Sequence, residues 1–136
     1  MWYEIIHTLP GPGKVDADFG AFTIHSDHPP TDDREGRPPE PFALFLASIG
    51  TCAASFVMAY CQEEGLPYQD IRLIQHQEFS GEGETIPEFS IQIQVPSDFP
   101  ENHLAALIEA AGECTVKRVM EACPAFRIQA KRGESR

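Results

Sequence analysis

The chain has no concentration of basic residues. Its 136 residues include 21 Asp and Glu but only 10 Lys and Arg, which gives a formal net charge of −11. The densest basic stretch is the pair Lys131-Arg132. Nucleic acids are bound through a basic face that neutralises phosphates, so the sequence argues against a nucleic-acid partner. It also argues against binding to an anionic membrane surface.

Signals for export or membrane insertion are also absent. The chain begins MWYE, with neither the basic nor the apolar segment of a secretory signal. The longest apolar stretch, residues 42–60, is interrupted by serine, glycine and threonine, which makes it a poor transmembrane candidate. We therefore expect a cytoplasmic protein that does not associate with membranes.

The sequence also lacks the common signatures of metal and phosphate sites. It contains 4 cysteines, none in a CxxC pair, whereas a structural zinc site normally has closely spaced ligand pairs. A glycine-rich phosphate loop is missing too. Cytoplasmic thiols are normally reduced. The cysteines are therefore either core residues or redox groups, and we expect no metal and no other cofactor.

Hydrophobic periodicity and turn residues predict an α+β fold with a mainly antiparallel sheet, in one domain over residues 1–136. The N-terminal strands form a meander, and a proline-rich loop follows them. In chain order we predict strands within residues 1–8, 15–19 and 22–24 with a turn at 10–13, a loop at 28–41, a helix at 42–64, a hairpin at 71–79 and 86–95, a helix at 101–122 and a strand at 126–130.

The first predicted helix, residues 42–64, is apolar on nearly all sides. Pro41 suits its first turn, and Gly65 followed by Pro67 ends it. A helix without a broad polar face must be buried on several sides. Since a domain of this size can hardly surround such a helix by itself, we expect a homodimer with this helix at its centre.

The spacing of the cysteines limits which of them can act together. Cys52 and Cys61 are nine residues apart, or about 2.5 helical turns, so they point to opposite faces. Cys52 and Cys114 lie on different predicted helices. Of the possible pairs, this is the one that we expect to be redox-active. Lys117 and Arg118 follow Cys114 by one turn, and a nearby cation favours the reactive thiolate. The same cysteines could equally fill a core, which is our interpretation for the remaining two.

Two segments resemble motifs of the OsmC/Ohr family. PFALFLASIGTCA, residues 41–53, resembles the central-helix motif, and ECTVKR, residues 113–118, resembles the second-cysteine motif, usually Cys-Pro-Val. EGLP at 64–67 and the hairpin after it fall where the family places them, so the resemblance covers nearly the whole chain. It implies an OsmC-like fold: an intertwined homodimer whose antiparallel sheets, drawn from both chains, wrap around two central cysteine helices.

The resemblance implies an activity as well, the thiol-dependent reduction of organic hydroperoxides in oxidative-stress defence. Cys52 would be the peroxidatic cysteine, which attacks a small organic hydroperoxide and becomes a sulfenic acid. Cys114 would resolve this intermediate as a disulfide, and a dithiol reductant would reopen it.

An arginine and a glutamate beside the first thiol are also implied, and here the sequence departs from the family. Phe42 and Ala43 occupy the positions of the family's glutamate. The nearest carboxylate is Glu40, a possible substitute. The arginines available before the first thiol are Arg34 and Arg37.

A second departure is Thr115, at the position where the second motif usually has proline.

Two further hypotheses on function stay open. The apolar Phe42 and Phe45 favour a non-catalytic relative that binds a small apolar molecule at the dimer interface. Alternatively, the cysteines are core residues of a structural or interaction protein.

Overall fold

Antiparallel strands and α-helices make up the chain, which is therefore of the α+β class, as predicted. The structure, a computed structural model, describes residues 4–28, 37–81 and 85–133. The backbone divides into two compact units, residues 1–49 and 50–136. That the whole chain forms one domain stays a prediction.

The first unit contains the predicted meander of three strands in the order β1-β2-β3. The predicted turn at residues 10–13 is too long, because the first strand continues through Pro10. Proline is tolerated on an edge strand, and the register of β1 shifts between Thr8 and Gly11 to accommodate it. Gly13 turns the chain with a φ of 74°. The strands are β1 at Ile6–Gly11, β2 at Lys14–Asp18 and β3 at Thr23–Asp27.

The long helix α1 spans Pro41–Glu64, as predicted. It ends at Gly65, whose φ of 67° lies in the left-handed region. The N–H of Leu66 donates to the Cys61 carbonyl at 2.8 Å, and that of Gly65 donates to the Gln62 carbonyl at 3.4 Å. This Schellman arrangement satisfies carbonyls that the helix end would otherwise leave unpaired.

Most of α1 is uncovered within one chain. Despite its polar interruptions, the helix is long and apolar enough, by length and composition, to cross a membrane, and only 17% of its most apolar window is buried. The core helix of a soluble protein satisfies the same criteria of length and composition, but such a helix is mostly buried.

The second unit contains the predicted hairpin, formed by β4 at Arg72–Gln77 and β5 at Phe89–Gln94. The strands are antiparallel, with Leu73 opposite Ile93. Both strands are shorter than predicted. The alternating pattern extends beyond the residues that pair, and so it overestimates strand length.

The predicted second helix at 101–122 is wrong as one continuous element. A 3₁₀ turn at Glu101–His103 leads into α2 at Leu104–Gly112, and α3 at Thr115–Glu121 follows after a break. Between them Cys114 has φ −48° and ψ 123°, an extended conformation. Gly112 is a poor helix former, and α2 ends at this residue. The apolar periodicity of the sequence nevertheless continues through the break in the helix.

The predicted C-terminal strand at 126–130 is also wrong for a single chain. Residues 123–133 have no strand partner among the residues that the structure describes. Phe126 and Ile128 are almost fully exposed. The alternation of apolar residues is present, but a strand forms only where its main-chain N–H and C=O groups can form hydrogen bonds with a neighbouring strand.

The core of the second unit lies between α1 and α2. Val57 and Cys61 from α1 pack with Leu107 from α2, and partly buried residues of β4 and β5 surround them. The Tyr60 hydroxyl lies 2.6 Å from Nδ1 of His103 and links α1 to the 3₁₀ turn that precedes α2. Burial raises the pKa of the Cys61 thiol, so this cysteine is a core residue, in line with our interpretation of the sequence.

Two adjacent residues of α2 test this core. Leu107 is 1% exposed and Ile108 is 67% exposed. Leu107→Ala should lower the free energy of unfolding by about 2–5 kcal/mol because it leaves a cavity, and Ile108→Ala by less than about 1 kcal/mol. Urea denaturation followed by circular dichroism measures both. Equal losses would contradict the placement of α2.

Candidate active site

Two thiols meet in the second unit. Cys52 lies in the middle of α1 and is half-buried, whereas Cys114 lies at the break between α2 and α3 and is 2% exposed. The two sulfur atoms are in hydrogen-bond contact. The structure thus brings together the cysteines that the sequence analysis pairs, although they are 62 positions apart in the sequence.

The helix break supplies further hydrogen-bond donors. The first N–H groups of a helix have no intrahelical acceptor, and in α3 the Cys114 carbonyl accepts its bond from Arg118 at 3.1 Å. The preceding main-chain N–H groups are directed to the thiols: those of Thr115 and Val116 donate to Cys52. An uninterrupted helix would have used these groups internally.

These contacts decide the ionisation of Cys52. Burial by itself raises the pKa of this thiol, because a charge loses hydration. Hydrogen bonds from the Val116 N–H, the Cys114 thiol and the Thr115 N–H act in the opposite direction and together outweigh burial, so the pKa of Cys52 lies below its ordinary value. The thiolate is the nucleophilic form of cysteine.

The neighbouring thiol is shifted the other way. Burial raises the pKa of Cys114, and the N–H groups of Lys117 and Val116 only partly offset this effect. Donating a hydrogen bond to Cys52, and facing its negative charge, raises the pKa of Cys114 further. Of the two thiols, Cys52 is therefore the one that loses its proton first.

The predicted cations of α3 are engaged elsewhere. Lys117 Nζ lies 2.6 Å from Oε1 of Glu121, and Arg118 pairs with Glu113. The contacts that lower the pKa of Cys52 come from main-chain amides and a thiol. Sequence analysis missed these amides because an N–H group leaves no trace in the pattern of side chains. Two signals were available: Gly112, which ends α2, and Thr115, which stands where the family motif usually has a proline without an N–H.

The predicted arginine and carboxylate belong to the first unit. Arg37 lies 3.4 Å from Oδ2 of Asp27, a buried carboxylate, and Glu40 lies 3.7 Å from Nδ1 of His28. Arg34 lies outside the described residues. The roles proposed for these groups at the thiols stay predictions.

The two phenylalanines predicted to line a substrate pocket also belong to the first unit. The rings of Phe42 and Phe45 stack at 5.6 Å between centroids. They form an apolar surface at the start of α1, and their part in a pocket stays a prediction.

An apolar cleft lies in the second unit between β5 and α2. Its volume is about 510 Å³. Gly112 and Lys117, which lie on either side of Cys114 in sequence, belong to its lining. The apolar residues of the cleft include Phe89, Ile91, Ile93, Leu104, Leu107 and Ile108.

Over the described ranges, no group of three or more His, Cys, Asp or Glu side chains could hold a metal ion.

Comparison with known proteins gives a consistent family and fold. The family model described as OsmC-like protein matches residues 34–129. The OsmC-like protein of Mycoplasma pneumoniae has a similar structure, with a TM-score of 0.70 at 14% identity over 90% of this chain and 89% of that chain. No curated protein matches by sequence.

Two more distant structures carry functional names. The OsmC-like hydroperoxide resistance protein of Jannaschia sp. CCS1 has a TM-score of 0.54 at 21% identity, over 95% of this chain and 91% of that chain. The organic hydroperoxide resistance protein OhrB of Bacillus subtilis has a TM-score of 0.53 at 15% identity, over 90% and 93%. At these identities the likeness shows a shared fold.

Two substitutions at Cys114 test the hydrogen bond between the thiols. Cys114→Ala removes the donor, so less Cys52 is thiolate, and its alkylation by iodoacetamide at pH 7 should slow roughly tenfold. Cys114→Ser keeps a donor and should slow it less. Mass spectrometry of the peptide containing Cys52 measures the rate. If both variants react like the wild type, the Cys114 thiol does not stabilise the thiolate.

Proposed function

This chain belongs to the OsmC-like protein family, and on that premise we propose that it reduces organic hydroperoxides through Cys52 and Cys114. The observation that carries the proposal is the hydrogen-bonded pair of thiols, one with a lowered and one with a raised pKa. Some solved structures with the same fold are named hydroperoxide resistance proteins, which supports a role in oxidative-stress defence.

The first step uses the charge on Cys52. Its thiolate attacks the terminal oxygen of the hydroperoxide, so that an S–O bond forms and the O–O bond breaks. Sulfur is oxidised to a sulfenic acid. The alkoxide that leaves takes up the Cys114 proton and departs as an alcohol. Proton transfer turns Cys114 into a thiolate beside the newly oxidised sulfur.

The second step closes the disulfide. The Cys114 thiolate attacks the Cys52 sulfur, and hydroxide leaves and is protonated by solvent to give water. A dithiol reductant then reopens the disulfide by two thiol exchanges and is itself oxidised to a disulfide. The net reaction converts a hydroperoxide and a dithiol into an alcohol, water and a disulfide. Since the enzyme must start with reduced thiols, we place it in the cytoplasm.

A peroxidase assay tests this proposal. With cumene hydroperoxide and dithiothreitol, the wild-type protein should consume peroxide, and Cys52→Ser should consume none above the uncatalysed rate because the nucleophile is gone. Cys123→Ser is the matched control, since Cys123 is an exposed thiol that the proposal does not use. Equal inactivity of the wild type and Cys52→Ser would end the proposal.

A second candidate function is the binding of an apolar ligand without catalysis. The cleft of about 510 Å³ beside α2 favours it, because its lining is largely apolar. An inert peroxidase assay together with a small molecule that co-purifies with the protein would support this alternative.

We also propose that the protein is a homodimer. Family members are soluble, yet α1 is only 17% buried over its most apolar window. A helix of this kind needs cover from another apolar surface, and a second copy of the same chain is the simplest source. The unpaired apolar alternation at residues 126–130 supports the same conclusion, because it suits a strand added to the sheet of a partner.

The mass in solution tests the dimer. Light scattering should give twice the chain mass of 15.1 kDa. Met58 is an exposed apolar residue of α1, and Met58→Glu should shift the protein towards monomer because it places a charge in the interface. Gln69→Glu adds the same charge at an exposed position outside α1 and should leave the mass unchanged. A wild-type monomer at micromolar concentration would contradict the proposal.

A further inference from the structure

The apolar cleft between β5 and α2 has a single cation in its wall. Of the described residues that line the cleft, Lys117 alone carries a charge, and the other side chains are apolar except that of Gln92. We propose that Lys117 is a specificity-determining residue, through which the cleft selects ligands that join an apolar body to one anionic group. The inference deepens the proposed function and rests on it for the reaction that such a ligand undergoes.

The cleft has the size and the lining of a small-molecule site. Its volume of about 510 Å³ lies within the range of roughly 300–1,000 Å³ that such sites occupy. Ile91 and Ile93 of β5 line one side, and Leu104 and Ile108 of α2 line the other. An apolar ligand body removes these surfaces from water, which favours binding.

The ammonium group of Lys117 has a partner that a ligand can replace. Its Nζ lies 2.6 Å from Oε1 of Glu121, and the two side chains are 52% and 62% exposed. An ion pair this exposed is weak, because water and salt compete with it. An anionic ligand whose apolar body excludes water forms a stronger contact with the same ammonium group. Glu121 is then the group that a bound anion displaces.

The charge of the whole chain makes a local cation necessary for an anionic ligand. With a formal net charge of −11, the protein repels anions at long range, and a cation at the site itself offsets this repulsion. Arg118, the next residue, pairs with Glu113 and does not belong to the described lining. Lys117 is therefore the residue that complements an anionic group, and Arg118 provides a matched control.

The position of Lys117 connects this selection with the thiols. Gly112 and Lys117 both line the cleft, and Cys114 lies between them in sequence, at the break between α2 and α3. A ligand that Lys117 holds thus lies against the segment that carries one of the two thiols. Selection by charge at the cleft therefore acts on the molecules that reach this segment.

Two fluorescent probes that differ only in charge test the inference. 1-Anilinonaphthalene-8-sulfonate is anionic, and N-phenyl-1-naphthylamine has the same rings without the sulfonate. Fluorescence titration measures the affinity of each. Lys117→Met should weaken binding of the anionic probe about fivefold and leave that of the neutral probe unchanged, because methionine keeps an unbranched apolar side chain. Arg118→Met removes the same charge one residue away and should change neither affinity.

A second variant tests the competition between Glu121 and the ligand. Glu121→Gln should strengthen binding of the anionic probe about twofold, because the amide no longer pairs with the ammonium group. The gain should vanish when Lys117→Met is also present. Circular dichroism checks that each variant is folded. Since Glu121 is exposed, this variant decides the outcome if Lys117→Met does not fold.

The inference is overturned if folded Lys117→Met and Arg118→Met weaken the anionic probe equally, or if Lys117→Met changes both affinities to the same extent. Binding of neither probe by the wild type, as when a second copy of the chain fills the cleft, also overturns it. No peroxide enters these titrations. A protein that shows the selectivity but consumes no hydroperoxide would refute the proposed function alone, whereas an active peroxidase without the selectivity would refute this inference alone.

Discussion

The chemistry that we propose for this protein depends on one hydrogen-bonded contact, between the Cys52 sulfur in α1 and the segment that begins at Cys114. The contact exists because the helix is interrupted between α2 and α3. At that interruption the backbone is extended, its N–H groups are free of helical partners, and they turn to the sulfur. The same interruption places the Cys114 thiol beside Cys52, where it serves as donor. The segment at this interruption thus lowers the pKa of Cys52 and carries the neighbouring thiol, whose own pKa is raised.

Within the second unit, the contacts that lower the pKa of Cys52 come from main-chain amides and a thiol. The family resemblance implies an arginine and a glutamate at this thiol, and the sequence has Phe42 and Ala43 where the glutamate would be. Roles for Arg34, Arg37 and Glu40 at the thiol stay predictions. The departure at Thr115 fits this arrangement, because a proline at that position would have no N–H to donate. Threonine in place of the usual proline therefore adds a main-chain N–H at this position.

The apolar surface of α1 imposes a second constraint. Val57 and Cys61 are buried against α2, but most of the helix is not covered within one chain. The C-terminal segment has a strand-like alternation but no strand partner within the ranges that the structure describes. Both features support the proposal that a second copy of the chain completes the core. The hydrophobic effect is roughly proportional to the apolar area removed from water, so uncovered area on this scale favours association.

The sequence alone predicted the elements whose signals are local. The bounds of α1 follow from Pro41 and Gly65, the hairpin follows from alternation around a glycine-containing loop, and the meander follows from short alternating segments. It also selected Cys52 and Cys114 as a pair, by helical spacing and by resemblance to a family. These features depend on residues that are neighbours in the chain, where periodicity and turn preference are informative.

The tertiary structure decided what the pattern of side chains cannot express. The periodicity of residues 101–122 continues through the break at Cys114, and residues 126–130 have the alternation of a strand without the partner. The ionisation of Cys52 depends on where the N–H groups of Thr115 and Val116 point, which follows from backbone angles at a position 62 residues away in the chain. Charges on Lys117 and Arg118 suggested a stabilising role, but their nearest partners are carboxylates. Propensity and spacing describe which groups are present, whereas only the folded backbone fixes which of them meet.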